Sequence, residues 1–588
     1  MNMINKGIPY FPTPANFFDE EVMELLEAKF GVLASYMVMR LLCKIYKEGY
    51  YISWGKEQNL IFVRKVGGGI KEDMMEKIVD LLLEKGFFHK ETYEKHGILT
   101  SEQIQRVWFE ATTRRKIDFS QLPYLLETKQ RKRIHKDELN KENAKVFASI
   151  LGTMGILLFL GVLGTLFKPK NYHIYTKEGM LIVALCWVLW SFFGGLPFVF
   201  AGQIPSVIDA FFEMSSGFTT SGATILTDTG VLTHSLLFWR SFAHLIGGMG
   251  VLVFALAIMN NSKNGHHEVM RAEVPGPVFG KVVAKLKNTA QILYIIYLTM
   301  FVIFAVILWL CGMPIFDSII TAMGGAGTGG FAVYNDSIAH YHSDLITYVV
   351  TVGTLLFGVN FNLYFYILLR KIKFFFQDEE LRTYFAIVAI STGLIFLNIF
   401  GIYHNLADSF KYSFFEVSTI ITTTGFGLTD ITKWPLFSQY ILLLLMFIGG
   451  SAGSTAGGFK IIRAMIIAKI ARNQTLASLY PNRILSLHIN GSVLDKETQH
   501  SVLKYLAVYV LIILSLVTVL SLDNQDLLIV TSAAASTFNN IGPLLGTSDS
   551  FAIFSPLSKL IMGFAMIAGR LEIYPLLLLF LPKTWSKT

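Results

Sequence analysis

Thr422-Thr423-Thr424-Gly425-Phe426-Gly427 stands between a semi-apolar stretch, Asp408 to Ile421, and a long apolar run, 437–459. Crossing a bilayer takes about 20 mostly apolar residues, and that stretch is too short to span. It reads as a re-entrant helix, because irregular backbone at membrane depth is tolerated only where it lines a cavity or is buried in protein. The arrangement recurs at Thr219-Thr220-Ser221-Gly222-Ala223-Thr224, Gly327-Thr328-Gly329-Gly330-Phe331 and Thr537-Phe538-Asn539-Asn540-Ile541-Gly542-Pro543. The central glycines, Gly222, Gly329, Gly425 and Gly542, are 107, 96 and 117 residues apart. Each turn follows a long apolar helix and a short stretch such as Ser206 to Gly217, and precedes an acid and another long helix. Internal repetition of this kind defines an architecture.

Nine runs are long and apolar enough to be spanning helices: 146–167, 180–201, 236–260, 288–311, 343–369, 384–403, 437–459, 499–521 and 557–581. Lipid offers the backbone no partners, so the spans must be helical. The expected fold is an α-helical membrane protein of four pseudo-symmetric helix, pore-helix, helix repeats around a central pore. The repeats fall at about 179–262, 286–370, 383–476 and 498–583, within a pore domain of 179–588. Ahead of it come a soluble winged-helix-like domain, 1–128, a basic linker, 129–145, and a leading transmembrane helix and loop, 146–178.

With 53% hydrophobic and 16% charged residues over 588 positions, the chain is too apolar for an ordinary soluble protein. The net charge of +8 fits basic cytoplasmic membrane faces as well as it fits nucleic acid. Cys43, Cys186 and Cys311 lie too far apart for a disulfide framework or a metal site. Residues 1–20 hold Pro9, Pro12 and Pro14 and no apolar core, so insertion is expected to rely on internal helices. No arrangement of Ser, Cys or His suits catalysis, and His266-His267 is too little for a metal; the expectation is no enzyme and no cofactor. Gly325-Ala326-Gly327-Thr328-Gly329-Gly330 has dinucleotide-loop spacing but no βαβ unit around it. Gly453 to Gly458 lacks the Lys-Ser/Thr ending of a phosphate loop, since Phe459 precedes Lys460.

The turns suit a dehydrated monovalent cation, because glycine lets the chain present carbonyls with no side chain in the way. Asp228, Asp336, Asp430 and Asp549 follow the turns and would enrich cations at an outer vestibule. The turn-bearing segments contain only Lys411 and Lys433, whereas 261–287 and 370–382 are basic, so the turns should face outward.

Residues 146–588 resemble the Trk branch of the Trk/Ktr/HKT potassium transporters, through Phe211 to Thr224, Ile246 to Val251, Arg271 to Pro277, the four turns, Gly449 to Arg463 and Gly569 to Ile573. The resemblance implies potassium uptake across the bacterial inner membrane by a multi-pass protein, with K+ as the only bound metal. It places the selectivity filter at Thr220, Ser221, Gly222 and Ala223; Thr328, Gly329 and Gly330; Thr424, Gly425 and Phe426; and Asn540, Ile541 and Gly542. It places a gate at Gly449, Gly450, Gly453, Ser454, Thr455, Gly457 and Gly458 with Arg463 beneath; independently, that small-residue run has poor helix propensity within an apolar helix. Arg570 and Glu572, ionisable groups inside the last apolar helix, are expected to fix the fourth repeat. A homodimer and a cytosolic nucleotide-binding ring of the Trk A type are the implied partners, besides the bilayer.

The family has two helices before its first repeat, where this chain shows one apolar run, 146–167. With the turns outside, one leading helix would place residues 1–145 outside, yet Lys129 to Lys145 carries seven basic residues against three acids, which favours retention inside. Residues 7–116, with amphipathic helices at about 20–47, 56–66 and 71–86, an aromatic hairpin-like stretch Phe87 to Leu99 and a helix at 101–115, resemble the N-terminal domain of DnaD-like phage replication proteins. Lys71, Lys77, Arg114, Arg115 and Lys116 would then face DNA phosphates. The alternative reading is a membrane-anchored DNA-binding protein of the replication type, and the juxtaposition itself reads as a fusion or a sequence join that removed the transporter's first helix.

Overall fold

The computed structural model describes residues 7–8, 11, 17–67, 71–112, 123–124, 126, 129–167, 176–250, 286–480, 482 and 485–585. The apolar run beyond Gly250, the basic segment 261–285, the motif Arg271 to Pro277, His266-His267 and Arg114, Arg115 and Lys116 lie outside them. The chain forms two compact units, Met1–Asn140 and Lys141–Thr588.

In the first unit, helices Glu21–Phe30, Leu33–Glu48, Lys56–Val66, Glu72–Glu84, Lys90–His96 and Glu102–Thr112 enclose a core of Met23, Leu26, Met37, Leu41, Ile45, Ile78, Leu82, Phe88 and Trp108. Two expectations change. The helix expected over 20–47 is two, because Gly31, at φ +84°, breaks it. Phe87 to Leu99 is no hairpin: it contains the helix Lys90–His96, whose start is capped by His89, and Ile98–Leu99 pairs antiparallel with the distant Ile52–Ser53. Leu82 is fully buried. Its replacement by alanine is expected to cost this unit about 2–5 kcal/mol, read as faster protease cleavage within 17–112 of the full chain.

The helix Lys129–Thr165, which begins in the first unit and ends in the second, absorbs the stretch expected to be a linker. Four copies of one unit follow. Their first helices are Thr176–Ala201, Leu286–Leu310, Glu379–Tyr403 and Lys496–Leu520, long enough to span. Their short helices are Val207–Phe218, Ile315–Gly327, Leu406–Ile421 and Leu527–Phe538. Side-chain caps fix several starts: Ser206 receives the Asp209 amide, Asp378 that of Leu381, and Asp495 that of Thr498. Gly195 sits where a methyl would meet the Ala210 carbonyl at 2.9 Å, which lets the first long helix press against the first short one.

The second helices of the second and fourth repeats are not the continuous spans the sequence suggested, whereas that of the third is broken at the small-residue run where a break was expected. The second repeat has Asp344–Phe357 and Phe361–Leu368, bent by 90°. The third has Leu436–Ile448 and Ile461–Leu479, separated by a non-helical loop, and the fourth has Pro556–Arg570 and Tyr574–Phe580. The first, His234–Gly248, ends just short of Gly250. Five described helices are therefore long and apolar enough to cross a membrane, or six with the bent pair, against nine apolar runs. Each break has a local cause: Asn360 caps the helix that follows it, Gly449 and Gly458 adopt positive φ, and Glu572 and Ile573 do the same at the fourth break.

Candidate functional site

Each short helix ends in the same way. Thr220, Thr328, Thr423 and Asn540 adopt φ of 55–57°, and the next residue returns its amide to the carbonyl five back: Ser221 to Ser216 at 2.9 Å, Gly329 to Gly324 at 2.8 Å, Thr424 to Thr419 at 2.8 Å and Ile541 to Ser536 at 2.9 Å. This is a helix C-cap with a left-handed residue, a place usually held by glycine. A β-branched threonine there is strained, and strain maintained at three of four equivalent places marks a constrained site. The residue after next is glycine with positive φ in every repeat: Gly222 at 76°, Gly330 at 72°, Gly425 at 75° and Gly542 at 110°.

This corrects the register of the second turn. Its equivalent glycine is Gly330, not Gly329, so the spacings become 108, 95 and 117 residues. The two adjacent glycines concealed the shift. The equivalent sets are Thr220 to Ala223, Thr328 to Phe331, Thr423 to Phe426 and Asn540 to Pro543; the sequence reading had omitted Thr423, Phe331 and Pro543.

The four glycines close a ring. A methyl on Gly222 would lie 1.9 Å from the Gly329 carbonyl oxygen, one on Gly330 1.9 Å from that of Thr424, one on Gly425 2.0 Å from that of Ile541, and one on Gly542 2.7 Å from that of Ser221. The loops therefore abut in chain order, first to second to third to fourth to first. None of the carbonyls of Ser221, Gly329, Thr424 and Ile541 accepts a hydrogen bond from a described residue. Beyond the ring the loops continue to interlock: the Thr229 amide donates to Asn335 Oδ1 at 2.8 Å, the Ile338 amide to Gly427 at 3.1 Å and the Phe551 amide to Thr224 at 2.9 Å.

Of the four acids, Asp228, Asp336 and Asp430 stand at the start of a short 3-10 turn after the ring, and Ser550 takes that place in the fourth repeat, one residue past Asp549. Asp228 receives the Gly230 amide, Asp430 the Thr432 amide and hydroxyl, and Asp549 the Thr547 hydroxyl. The Thr432 hydroxyl and, after it, Lys433 hold the Asp430 carboxyl below the usual carboxylate range. Asp228 and Asp430 thus cap their turns, whereas Asp336 makes no side-chain cap bond and Ser550 supplies the cap after Asp549.

The loop from Gly449 to Lys460 lies against residues of the second, third and fourth repeats. Its Gly457 amide donates to the Thr423 hydroxyl at 2.7 Å, tying it to the base of the third ring loop, and a methyl on Gly457 would meet the Asn539 carbonyl at 2.2 Å. Ser451 donates its amide to Gly358, Thr455 its hydroxyl to Phe357, and the Phe361 amide reaches back to Gly453. Glu380, buried on the first helix of the third repeat, receives the amides of Ala452 at 2.7 Å and Ile462 at 3.2 Å. Lys460, buried with φ of 80°, turns its ammonium onto the Ala456 carbonyl.

Gly450, Gly453, Ser454, Thr455, Gly457 and Gly458 all belong to this loop, and Arg463 follows within the first turn of Ile461–Leu479. Arg463 pairs with Glu572 at 2.6 Å and lies over the Tyr505 ring at 4.1 Å. Arg570 donates to the carbonyls of Thr455 at 2.9 Å, Gly247 at 2.6 Å and Gly248 at 2.5 Å. The two charges of the fourth repeat thus bind to the third and first repeats. Glu380 and Lys460 escaped the sequence reading, although a charge next to a glycine-rich break is visible there.

The sequence profile of the TrkH family of cation transport proteins matches residues 146–587. The chain belongs to this family. It is 35% identical over 430 residues to the Trk system potassium uptake protein TrkH of Salmonella typhimurium, covering 71% of this chain and 88% of that one. It is 33% identical to the Trk system potassium uptake protein TrkG of Escherichia coli K12, covering 71% and 87%. The crystal structure of the potassium transporter TrkH from Vibrio parahaemolyticus superposes with a TM-score of 0.68 at 30% identity, covering 77% of this chain and 97% of that one. TrkH membership makes the chain a multi-pass membrane transport protein and not an enzyme. A second profile, Lin1244/Lin1753-like, N-terminal, matches residues 10–104. It replaces the DnaD-like resemblance read from the sequence.

Proposed function

We propose that the chain takes up K+ across the bacterial inner membrane, through a filter made by the four ring loops and a gate made by Gly449 to Lys460. The ring of glycine-to-carbonyl contacts carries this reading. Four carbonyls without hydrogen-bond partners among the described residues, one from each repeat, stand beside glycines that only a bare backbone fits, which suits replacement of an alkali cation's water by main-chain oxygen. Alternating positive and negative φ along each loop is the kind of backbone that turns successive carbonyls toward one side. The loop beneath is tied to the filter base by Thr423 and to the fourth repeat by Arg570, so its displacement would have to break both. Asp228, Asp336, Asp430 and Asp549 add negative charge at the mouth, Asp228 and Asp430 while capping turns.

Residues 179–588 are the pore domain in this reading, the ring side faces outward, and Ile461–Leu479, the helix that follows the gate loop, lies on the cytoplasmic side. A homodimer and a cytosolic nucleotide-binding ring of the Trk A type would act on that helix. Any nucleotide belongs to that partner. Expression of residues 146–588 in a bacterium lacking potassium uptake is expected to restore growth in low potassium. Absence of both growth rescue and Rb+ accumulation, with the protein present in the membrane, would reject the function.

A further inference from the structure

Behind the first two loops lies a group of buried charges that filter and gate leave unused. Glu213, fully buried on Val207–Phe218, receives the Thr224 hydroxyl at 3.0 and 3.1 Å and the Ile225 amide at 3.0 Å, both just past Gly222. Arg240, on His234–Gly248 and 2% exposed, brings Nε to 2.6 Å from the same carboxylate. Its guanidinium lies 3.6 Å from the centre of the Phe331 ring, the residue after Gly330. One turn on, His244 stacks on that ring at 4.2 Å, and a methyl on Gly329 would come within 2.6 Å of its imidazole. One ion pair therefore reaches the first loop through its carboxylate and the second through its guanidinium.

Stability alone does not account for the pair. Nη1 of Arg240 makes no hydrogen bond among the described residues, and a buried pair that is not fully satisfied is often matched or bettered by apolar residues of similar volume. The other repeats use such residues. Counted from the start of each second helix, Val350, Leu442 and Met562 stand where Arg240 does, and all three are buried. Glu416 repeats half of the device: it receives the Leu428 amide at 3.1 Å as Glu213 receives that of Ile225, but Leu442 faces the place of the arginine. Thr321 and Ala533 replace the glutamate in the second and fourth repeats. The repeat folds without the pair, so its presence at one junction of the ring calls for another reason.

We propose that Glu213 and Arg240 are specificity-determining positioning residues, which fix the separation of the first and second loops and hence the size of the ion that the Ser221 and Gly329 carbonyls accept. The proposal rests on the filter reading. Neither side chain touches the ion; both act through Thr224, Ile225 and Phe331.

The test uses the full chain, purified and reconstituted in liposomes, with K+ and Na+ flux and thermal unfolding measured for wild type, Glu213→Gln, Arg240→Lys and Phe331→Leu. Glu213→Gln and Phe331→Leu are expected to lower the K+/Na+ flux ratio about tenfold, the scale on which a site loses discrimination when one close contact is relaxed. K+ flux itself should persist in Glu213→Gln and Arg240→Lys, and the ratio of Arg240→Lys should fall between those of Glu213→Gln and wild type. Arg240→Lys keeps the charge and lies on His234–Gly248, outside the filter loops, so it decides the matter if Glu213→Gln does not fold. Variants that melt earlier but keep the wild-type ratio would overturn the proposal and leave the filter standing. A wild type that fails to distinguish the two ions would instead overturn the filter reading on which it rests.

Discussion

Replacing Gly425 with serine is expected to abolish most of the discrimination between K+ and Na+ in a protein that still reaches the membrane. Gly425 has φ of 75°, a region that costs an ordinary residue about 1–2 kcal/mol. The added Cβ would stand 2.0 Å from the Ile541 carbonyl oxygen and 2.8 Å from Pro543 Cδ. Neither neighbour is the free end of a flexible chain, so the fourth loop must move, and with it the carbonyl that the filter reading gives to the ion. A fall of about tenfold or more in the K+/Na+ permeability ratio is expected, the change that 1.4 kcal/mol of differential ion binding brings. Gly427→Ser is the control: the nearest atom to a methyl there is Ser337 Cβ at 3.9 Å, so its ratio should match wild type. Equal ratios for Gly425→Ser and wild type, at equal protein levels, would remove the filter assignment.

The repeat was legible in the sequence because its signal is local. A semi-apolar stretch, a turn with a central glycine and a following acid survive in all four copies, although the residues around the glycine differ. Register within the turn was less legible, since Gly329 and Gly330 are equivalent to the eye and only backbone φ separates them. Thr423 was passed over for a related reason. Nothing in a run of three threonines tells which adopts the left-handed conformation, and a β-branched residue is the last to be expected there.

The broken second helices show where apolarity misleads. Runs 343–369 and 557–581 are continuous in hydropathy, yet Asn360 and the pair Glu572 and Ile573 interrupt them. In each case the signal is a pair of polar residues inside an apolar run, Asn360 with Asn362 and Arg570 with Glu572, which a spanning reading absorbs as an exception. Arg240 and Glu213 were hidden more thoroughly, because residues 27 apart on different helices meet only once the short helix folds back. The same holds in the first unit, where Ile98 and Leu99 pair with Ser53 and Ile52, 45 and 47 residues away, and not with the aromatic stretch beside them.

Thr423→Val is expected to raise ion flux in the absence of any regulatory partner while leaving the K+/Na+ ratio unchanged. Valine preserves the shape and β-branching of threonine, so the strain at φ 56° is the same in both. What it removes is the acceptor for the Gly457 amide, 2.7 Å away and buried beneath the third loop. A buried donor left without its partner costs about 1–3 kcal/mol, and the cost falls only on the conformation in which the loop lies against the filter. If a displaced loop lacks this bond, the balance shifts toward it by about 5–150-fold. Thr423→Ser, which restores the hydroxyl, should return the flux to the wild-type level. Should Thr423→Val instead reduce flux, the Gly449 to Lys460 loop would be a support of the conducting state rather than its obstruction, and Arg570, which holds the same loop at Thr455, would have to be read the same way.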